Sequence, residues 1–355
     1  MTLVIALLGL ISLIVIHELG HMLTAKALGV RVPEFGIGFG PAIFKKKIGK
    51  TVYSFRIILL GGFAKMAGME GVSGVEVEKA DLGPDTYPAK PPWRKALIIF
   101  AGPFANLVAA VMILATVYMI SGVITGATTT VKEVVPNSLA SSAGVQSGDR
   151  VVSIDGTRTK NWDKFVTVVQ KQKPGDRVSV TVVRDGQQKQ FFGKLTANPK
   201  DPKQPLVGIS PVPIKETYGP IKAVGMATQQ IVTMTARLGG FVAQLVTGEQ
   251  SLYKNVSGPV GIASISSTAI MQGFYPQLLA LISLNLALFN LLPILPLDGG
   301  HLVIIAAEKV MGRPVRPATV NKIAAVGVML VLTLFLFATY TDLSKIFTGQ
   351  PFIPK

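Results

Sequence analysis

Apolar residues along this 355-residue chain gather into four long runs, separated by stretches in which polar residues and glycines recur. The runs cover about residues 2–27, 96–123, 276–297 and 322–340. Each is close to the roughly 20 residues that a helix needs to cross a hydrocarbon core about 30 Å thick. The pattern therefore predicts a polytopic α-helical membrane protein with four transmembrane helices.

The pattern changes to short β-prone runs and turns over residues 125–213. It predicts a strand, a short Ala-rich helix ending at Gly144, a second strand and turn in SGDRVVSIDG, and a helix around residues 161–172. A strand pair split by Arg184-Asp185-Gly186 follows. We therefore expect an inserted α+β domain between the second and third apolar runs, with a generic small β domain as the alternative.

Two further segments have patterns of their own. Residues 30–95 alternate β-prone runs with glycines, which predicts membrane-associated β-hairpins rather than a helix. Residues 214–257 are apolar on one side of a helical period, which favours an interfacial amphipathic helix over a fifth span. The predicted segments are 1–29, 30–95, 96–123, 125–213, 214–257, 258–300, 301–321 and 322–355.

Composition agrees with a membrane protein. The chain is 49% hydrophobic and only 15% charged, which is too apolar for a soluble globular protein. Its net charge of +16 is not gathered into one basic run and no nucleic-acid motif accompanies it, so we expect no nucleic-acid partner. The absence of cysteine excludes disulfides and thiolate ligands, so any metal site must use His, Asp or Glu.

Basic residues also predict orientation. They are dense in residues 30–95 and again in residues 301–321, which places both segments on the cytoplasmic side under the positive-inside rule. By parity, both termini and the 125–213 domain then lie on the extracytoplasmic side. We therefore predict a multi-pass membrane protein, with the lipid bilayer as its surroundings. The basic residues concerned are Lys45, Lys46, Lys47, Lys50, Arg56, Lys65, Arg94 and Lys95 in the first segment, and Lys309, Arg313, Arg316 and Lys322 in or next to the second.

The first apolar run has a second interpretation as a signal peptide, with Ala25-Lys26-Ala27 as the cleavage site. The basic n-region of a signal peptide is missing. A signal peptide also has no use for His17, Glu18 and His21. We therefore favour a membrane-spanning helix.

The motif HELGH in this first run carries the chemistry. His17 and His21 are four residues apart, so both imidazoles lie on one face of a helix and can reach a single cation. Glu18 beside them can hold and deprotonate a water molecule. Ionisable groups within a span are costly without a partner, which favours a Zn²⁺ site over a structural role.

Two histidines leave a catalytic zinc one protein ligand short. Asp298 in NLLPILPLDGGHL is the candidate, since proline and glycine break the helix there and the predicted topology brings it to the depth of His17. A simple helix-terminating turn is the other interpretation of LDGG. His301 remains an alternative ligand or a partner of one. Asn290 offers an amide that stabilises an oxyanion or makes a packing hydrogen bond.

These motifs together resemble the site-2 proteases, specifically the bacterial intramembrane zinc metalloproteases of regulator of sigma-E type that carry a PDZ insertion. The resemblance extends over nearly the whole chain. It rests on HELGH, FGIGFGP, GGFAKMAG, AGPFANLVAA, the SGD…SIDG…PGD phrases of the inserted domain, SGPVGIA and NLLPILPLDGGHL. Only one PDZ-like unit is visible where some relatives carry two, which weakens any inference about substrate screening.

The resemblance implies roles for individual residues. His17, His21 and Asp298 correspond to zinc ligands, Glu18 to the general base and Asn290 to an asparagine near the active site. The glycine-rich hairpins correspond to an element that pairs with extended substrate, which marks Tyr53, Phe55, Gly61 and Gly62 as candidate substrate-binding residues.

The implied function is hydrolysis of peptide bonds in the transmembrane segments of single-pass proteins, such as anti-sigma factors or remnant signal peptides. Zinc activates the water and polarises the scissile carbonyl, and Glu18 transfers the proton. A metal transporter and a non-proteolytic PDZ scaffold are the alternatives. The substrate, the cleavage position and the oligomeric state are not predicted.

Overall fold

The computed structural model describes residues 1–69, 83–199, 201–248, 257–350 and 352. The chain divides into two compact units, the first made of Met1–Val117 and Pro220–Lys355 and the second of Tyr118–Gly219. Parts of the predicted segments 30–95, 214–257 and 322–355 lie outside the described residues.

Nine helices are described along the chain. They are α1 (Thr2–Ala27), α2 (Pro92–Ile120), α3 (Leu139–Ala143), α4 (Trp162–Gln170), α5 (Pro220–Val246), α6 (Pro259–Gln272), α7 (Tyr275–Asn290), α8 (Asp298–Met311) and α9 (Pro317–Phe347). Among the described helices, α1, α2 and α9 are long and apolar enough to cross a membrane. These three correspond to the first, second and fourth predicted spans.

The predicted third span differs from the structure. Segment 258–300 contains α6, α7 and a break over residues 291–297, and α7 is an apolar helix of only 16 residues. The helix ends at Asn290, as the sequence predicts from Pro293 and Pro296, because proline lacks the N–H that a helix interior requires; the helical part is therefore shorter than the apolar run 276–297. Segment 301–321, predicted as a connection, is mostly helical, since α8 runs to Met311.

Helix α5 confirms the predicted helix in segment 214–257. It has 27 residues, enough to cross a membrane by length. It is not among the described helices whose composition would allow them to span. The interfacial position remains a prediction.

A hairpin follows α1, as the sequence predicts. Strand β1 (Glu34–Ile48) pairs antiparallel with β2 (Thr51–Lys65). Each long strand pairs through two separate segments. Residues 34–37 of β1 pair with residues 52–55 on one side and with residues 62–65 on the other. Residues 52–55 in turn also pair with residues 44–47. In the described pairing, residues 62–65 have a partner on one side only and form an edge of this small sheet.

The carboxylate of Asp342 in α9 fixes the start of α6. It is fully buried and accepts hydrogen bonds from the backbone N–H groups of Gly258, at 3.0 Å, and Gly261, at 2.7 Å. These are unpaired donors at a helix N-terminus, where a negative charge is favourable. The SGPVGIA stretch therefore begins a helix that is anchored to α9.

Eight strands are described in the second unit. They are β3 (Val123–Val134), β4 (Arg150–Ile154), β5 (Thr157–Arg158), β6 (Arg177–Arg184), β7 (Gln187–Lys194), β8 (Thr196–Asn198), β9 (Asp201–Leu206) and β10 (Ile209–Glu216). Of these, β3, β4, β6 and β7 follow the order of the four strands that the sequence predicts. The main sheet has the order β10-β3-β4-β6-β7, with β5 beside β4 and β8 paired with β9. This order, with α3 and α4 between the strands, is that of a PDZ-like domain.

Local signals explain the two helices of this unit. The side chain of Ser138 accepts from the N–H of Ser141 at the start of α3, and Gly144 ends that helix in the left-handed conformation. Asn161 accepts from the N–H of Lys164 at the start of α4. Phe165 on α4 then packs into a core of apolar side chains. That core includes Val131, Leu139, Val151, Ile154, Val178, Val180 and Val182.

A buried ion pair crosses the sheet of the second unit. Arg184 donates to both carboxylate oxygens of Asp149, each at 2.7 Å, and the Asp149 side chain is only 1% exposed. Burial by itself raises the pKa of Asp149, but hydrogen bonds from Arg184 and from the Gln146 backbone amide outweigh it and lower the pKa below its ordinary value. The carboxylate is therefore charged at neutral pH.

The lowered pKa predicts how stability depends on pH. Since the folded pKa lies below the unfolded value of about 3.9, the stabilisation is complete above that value and is lost as pH falls through the folded pKa. We expect Asp149→Asn to lower the Tm of this unit by several degrees at pH 7, with a difference that shrinks below about pH 4. Trp162 fluorescence in a full-length Trp93→Phe background reports this unfolding, because the chain has two tryptophans.

The matched control is Asp163→Asn, which removes a carboxylate from the first turn of α4. It is expected to change Tm little at either pH, because no ion pair is formed by Asp163 among the described residues. A constant difference between Asp149→Asn and the wild type from pH 7 to pH 3 would contradict the ion-pair explanation.

Candidate metal centre

Three predicted ligands meet inside the first unit. His17 and His21 lie on one face of α1, and Asp298 is the first residue of α8. The Nε2 atoms of the histidines are 3.2 Å apart, and Oδ2 of Asp298 lies 3.1 Å from Nε2 of His17 and 3.4 Å from Nε2 of His21. The structure therefore brings together the two motifs that are 281 residues apart in the sequence.

Hydrogen bonds from α2 determine which histidine nitrogens face the centre. Nδ1 of His21 lies 2.9 Å from the backbone oxygen of Ile98, which can only accept, so Nδ1 carries the proton and Nε2 presents a lone pair. Nδ1 of His17 lies 3.3 Å from the side-chain amide of Asn106. Both histidines thus direct Nε2 towards Asp298.

The donor set fits a zinc ion. With both Nε2 atoms unprotonated, nothing donates to Oδ2 of Asp298, which is buried and has no hydrogen-bond partner among the described residues. Three lone pairs then converge, an arrangement that a cation stabilises. Zinc bound at about 2.0–2.1 Å in a tetrahedron has ligand atoms about 3.3 Å apart, close to the 3.1–3.4 Å found here.

Asn106 is a part of the centre that the sequence did not single out. It is fully buried on α2, and its Oδ1 has no hydrogen-bond partner among the described residues. Rotating the amide by 180° places Oδ1 opposite Nδ1–H of His17 and satisfies both groups. Its backbone oxygen accepts from the hydroxyl of Ser283 at 2.8 Å, which ties α7 to α2 beside the centre. The sequence does contain one signal for this residue, because Asn106 is a polar residue within the apolar stretch AGPFANLVAA.

Replacement of Asn106 tests this arrangement. Asn106→Leu leaves Nδ1–H of His17 unpaired, so we expect zinc affinity to fall by about 10–100-fold. Asn106→Asp keeps an acceptor oxygen at the same place and is expected to retain most of the affinity. Competition with a chromophoric chelator measures both variants, and equal affinities for Asn106→Leu and the wild type would refute a role in orienting His17.

Gly102 explains how α2 approaches the histidines so closely. A Cβ atom at Gly102 would overlap the imidazole ring of His21. The residue therefore has to lack a side chain for the ring to occupy its position. Pro103 follows it inside α2, so the AGPFAN stretch combines a close approach, an interrupted hydrogen-bond ladder and the amide of Asn106.

Glu18 lies next to the converging ligands without joining them. The half-buried Glu18 side chain lies against β2, because a Cβ added at Gly62 would come within 3.1 Å of Cγ of Glu18. The backbone of Ala64 also lies close to the Glu18 carboxylate. The edge segment 62–65 therefore runs directly beside the proposed general base.

The other predicted site residues occupy different surroundings. Asn290 ends α7 and donates to the backbone oxygen of Leu286 at 3.0 Å, so the described hydrogen bond of its amide nitrogen stays within its own helix. His301 lies one turn into α8 and is not among the three ligands that converge. The catalytic role of Asn290 stays a prediction.

The four candidate substrate-binding residues separate into two groups. Gly62 lies beside Glu18, and Gly61 is packed against the ring of Phe39. Tyr53 and Phe55 belong to the inner segment 52–55, which is paired on both sides, so their backbone offers no free edge. In the described pairing the free edge is at residues 62–65, and Tyr53 and Phe55 have only side chains to offer a substrate.

Known proteins resemble this chain over most of its length. The family model described as Peptidase family M50 matches residues 5–334. The zinc metalloprotease RasP of Shouchella clausii is 29% identical over 98% of this chain and 100% of its own. A Brucella suis protein, provisionally named a zinc metalloprotease, is 32% identical over 92% of this chain and 91% of its own.

Among solved structures, the match covers a smaller part. The PDZ domain of an SdrC-like protein from Listeria monocytogenes is 26% identical, covers 25% of this chain and 90% of that domain, and has a TM-score of 0.21. The PDZ-like description of the second unit rests on its own order of strands and helices.

Proposed function

Because the chain belongs to peptidase family M50, the site-2 protease family of zinc metalloproteases, we propose that it cleaves peptide bonds within the transmembrane segments of single-pass proteins. The observation that carries this proposal is the position of the metal centre. His17 and His21 lie in the second half of α1, a helix apolar and long enough to span, rather than on a soluble domain. A substrate has to reach that depth to be cleaved.

The residues around the centre support hydrolysis. When bound by His17, His21 and Asp298, zinc supplies Lewis acidity that activates a water molecule and a peptide carbonyl. Glu18 accepts a proton from the attacking water and passes it to the leaving nitrogen, so that one carboxylate serves as base and then as acid. Gly62 of the edge segment packs against the Glu18 side chain, so β2 limits where this carboxylate can lie.

The edge at residues 62–65 supports a mode of substrate binding. A transmembrane helix must unwind before its peptide bonds can be reached, and the freed N–H and C=O groups then need partners in a place without water. An extended substrate segment can add to this edge as a further strand. Since the edge lies beside Glu18, the added strand would bring its peptide bonds to the base.

The proposal also includes the orientation of the chain in the membrane and the selection of substrates by the PDZ-like unit. The basic residues of the 30–95 segment support a cytoplasmic position for it under the positive-inside rule; the centre would then lie in the cytoplasmic half of an inner membrane and the PDZ-like unit outside. That unit would bind a new C-terminus or exclude substrates whose outer part has not been trimmed. Anti-sigma factors and remnant signal peptides are the substrate classes proposed.

Cleavage of a single-pass substrate in proteoliposomes tests this function. We expect a cut within the transmembrane segment, mapped by mass spectrometry, and faster cleavage when glycines replace leucines near the cut, because the helix unwinds more readily. A matched substrate with the same outer and inner parts but a stiff polyleucine segment should be cleaved more slowly. Cuts confined to the water-exposed parts of the substrate would overturn the proposal.

A further inference from the structure

The tip of the β1–β2 hairpin carries a concentrated positive charge. Lys45, Lys46, Lys47 and Lys50 lie within six residues, and all four are exposed. Among the residues that the structure describes, no carboxylate lies within ion-pair distance of them; Glu34, which acts electrostatically on Lys45, is itself paired with Arg56 at 2.7 Å. This cluster, called the lysine tip below, is therefore open to an anionic partner.

Pairing places the lysine tip at the level of the inner end of α1. Lys46 is opposite Tyr53 in the strand register. The hydroxyl of Tyr53 accepts from Nζ of Lys26 at 3.2 Å, and Lys26 is the penultimate residue of α1. Tyrosine and lysine at the end of a span mark the boundary between hydrocarbon and headgroups.

The rest of the hairpin extends in the opposite direction, towards the middle of α1. Phe39 is opposite Ile58, and Phe39, Ile57 and Ile58 are 46%, 61% and 49% exposed. Further along β2, Gly62 packs beside Ile14 and Glu18 of α1, well inside the span. The apolar part of the hairpin therefore lies at hydrocarbon depth, and its lysine tip lies where headgroups are.

Apolar side chains accompany the lysines at the tip itself. Ile43, Phe44 and Ile48 are 66%, 60% and 57% exposed. Exposed aromatic and aliphatic side chains that flank a run of lysines are typical of segments that insert at the boundary of an anionic membrane. These apolar neighbours would make no favourable contact with a water-soluble anion.

We propose that the lysine tip binds the headgroups of anionic phospholipids in the leaflet that surrounds the inner end of α1. Four positive charges meet the phosphates of several lipids, and Ile43, Phe44 and Ile48 enter the acyl boundary between them. This interaction is separate from catalysis and does not depend on the proposed substrate. Each lysine near an anionic surface contributes about fivefold in affinity.

Site-directed spin labelling of the full-length protein tests this surface. The chain has no cysteine, so Ile48→Cys provides a single site for a nitroxide at the tip. In lipid nanodiscs of phosphatidylcholine with increasing phosphatidylglycerol, we expect the nitroxide to become protected from a water-soluble nickel chelate. Raising the salt concentration to about 1 M, where the Debye length is about 3 Å, should reverse most of that protection.

Lysine replacements make the test specific. Replacing all four tip lysines with glutamine should raise the phosphatidylglycerol fraction needed for half-maximal protection several-fold, or beyond what pure phosphatidylglycerol supplies, whereas replacing them with arginine should not. A control with the same loss of charge replaces four exposed lysines of the second unit, Lys164, Lys171, Lys173 and Lys189. It should behave as the unreplaced protein.

Three outcomes would overturn the proposal. The first is protection that does not depend on phosphatidylglycerol, and the second is an equal effect of the tip and control replacements. The third is loss of protection in the presence of millimolar inorganic phosphate at constant ionic strength, which would indicate a site for a soluble anion. Unchanged zinc content in every variant excludes unfolding as the cause of a lost signal.

Discussion

Replacing Glu18 with glutamine is expected to lower kcat for peptide-bond cleavage by about 10²–10⁴-fold while zinc affinity stays unchanged. The amide has nearly the shape of the carboxylate but cannot accept a proton from the attacking water. Glu18 is not one of the three converging ligand atoms, so its replacement removes no bond to the metal. The side chain would remain against β2 beside Gly62.

Zinc content by metal analysis and cleavage rate under saturating substrate measure the two halves of this prediction. Glu133→Gln, an exposed change on β3, is the matched control and should leave both unchanged. Loss of zinc together with activity would mean that Glu18 holds the metal. Continued cleavage would refute the general-base role, and a chain that moves zinc across the membrane without any cleavage would favour a transporter.

Adding one methyl group at Gly102 is expected to weaken zinc binding by about 100-fold and to abolish cleavage at low zinc concentration. A Cβ at this position overlaps the ring of His21, and α2 and α1 must separate or the ring must turn. Overpacking of this kind costs about 1–3 kcal/mol, and every 1.4 kcal/mol is a factor of ten in affinity. Turning the ring also breaks the hydrogen bond from Nδ1 to Ile98.

Gly225→Ala provides the matched control, since a Cβ at this helical position in α5 meets nothing within 4 Å. The same substitution there should leave zinc affinity unchanged and stabilise the helix slightly. Chelator competition and cleavage at several zinc concentrations measure both variants. If Gly102→Ala binds zinc as tightly as the wild type, the close contact between α2 and His21 is not required for the centre.

Most of the ligand set was predictable from local spacing. His17 and His21 are one helical turn apart, so the sequence alone places them on one face. Identifying Asp298 as a ligand required a further argument: the predicted membrane topology brings it to the same depth in the membrane as His17. The α+β order of residues 125–213 was also predictable, because its caps and turns, such as Ser138, Gly144 and Asn161, act within a few residues.

The break before Asp298 was only half predictable. Proline in NLLPILPLDGG indicates that a helix ends, and α7 does end at Asn290. The sequence does not show that a new helix starts at Asp298, because glycine at 299 and 300 lowers helix propensity and suggests a turn. Packing against the preceding loop overrides that preference, since both glycines are buried beneath residues 291–295.

By itself, the sequence indicated the family, the three ligand types and three helices that are long and apolar enough to cross a membrane, because these depend on spacing and hydrophobicity along one segment. The tertiary structure decided which groups surround the ligands. Asn106 faces His17, Gly102 makes room for His21, and residues 62–65 rather than 52–55 form the edge beside Glu18. Each is a contact between segments far apart in the chain, set by how helices and strands pack, which no local pattern encodes.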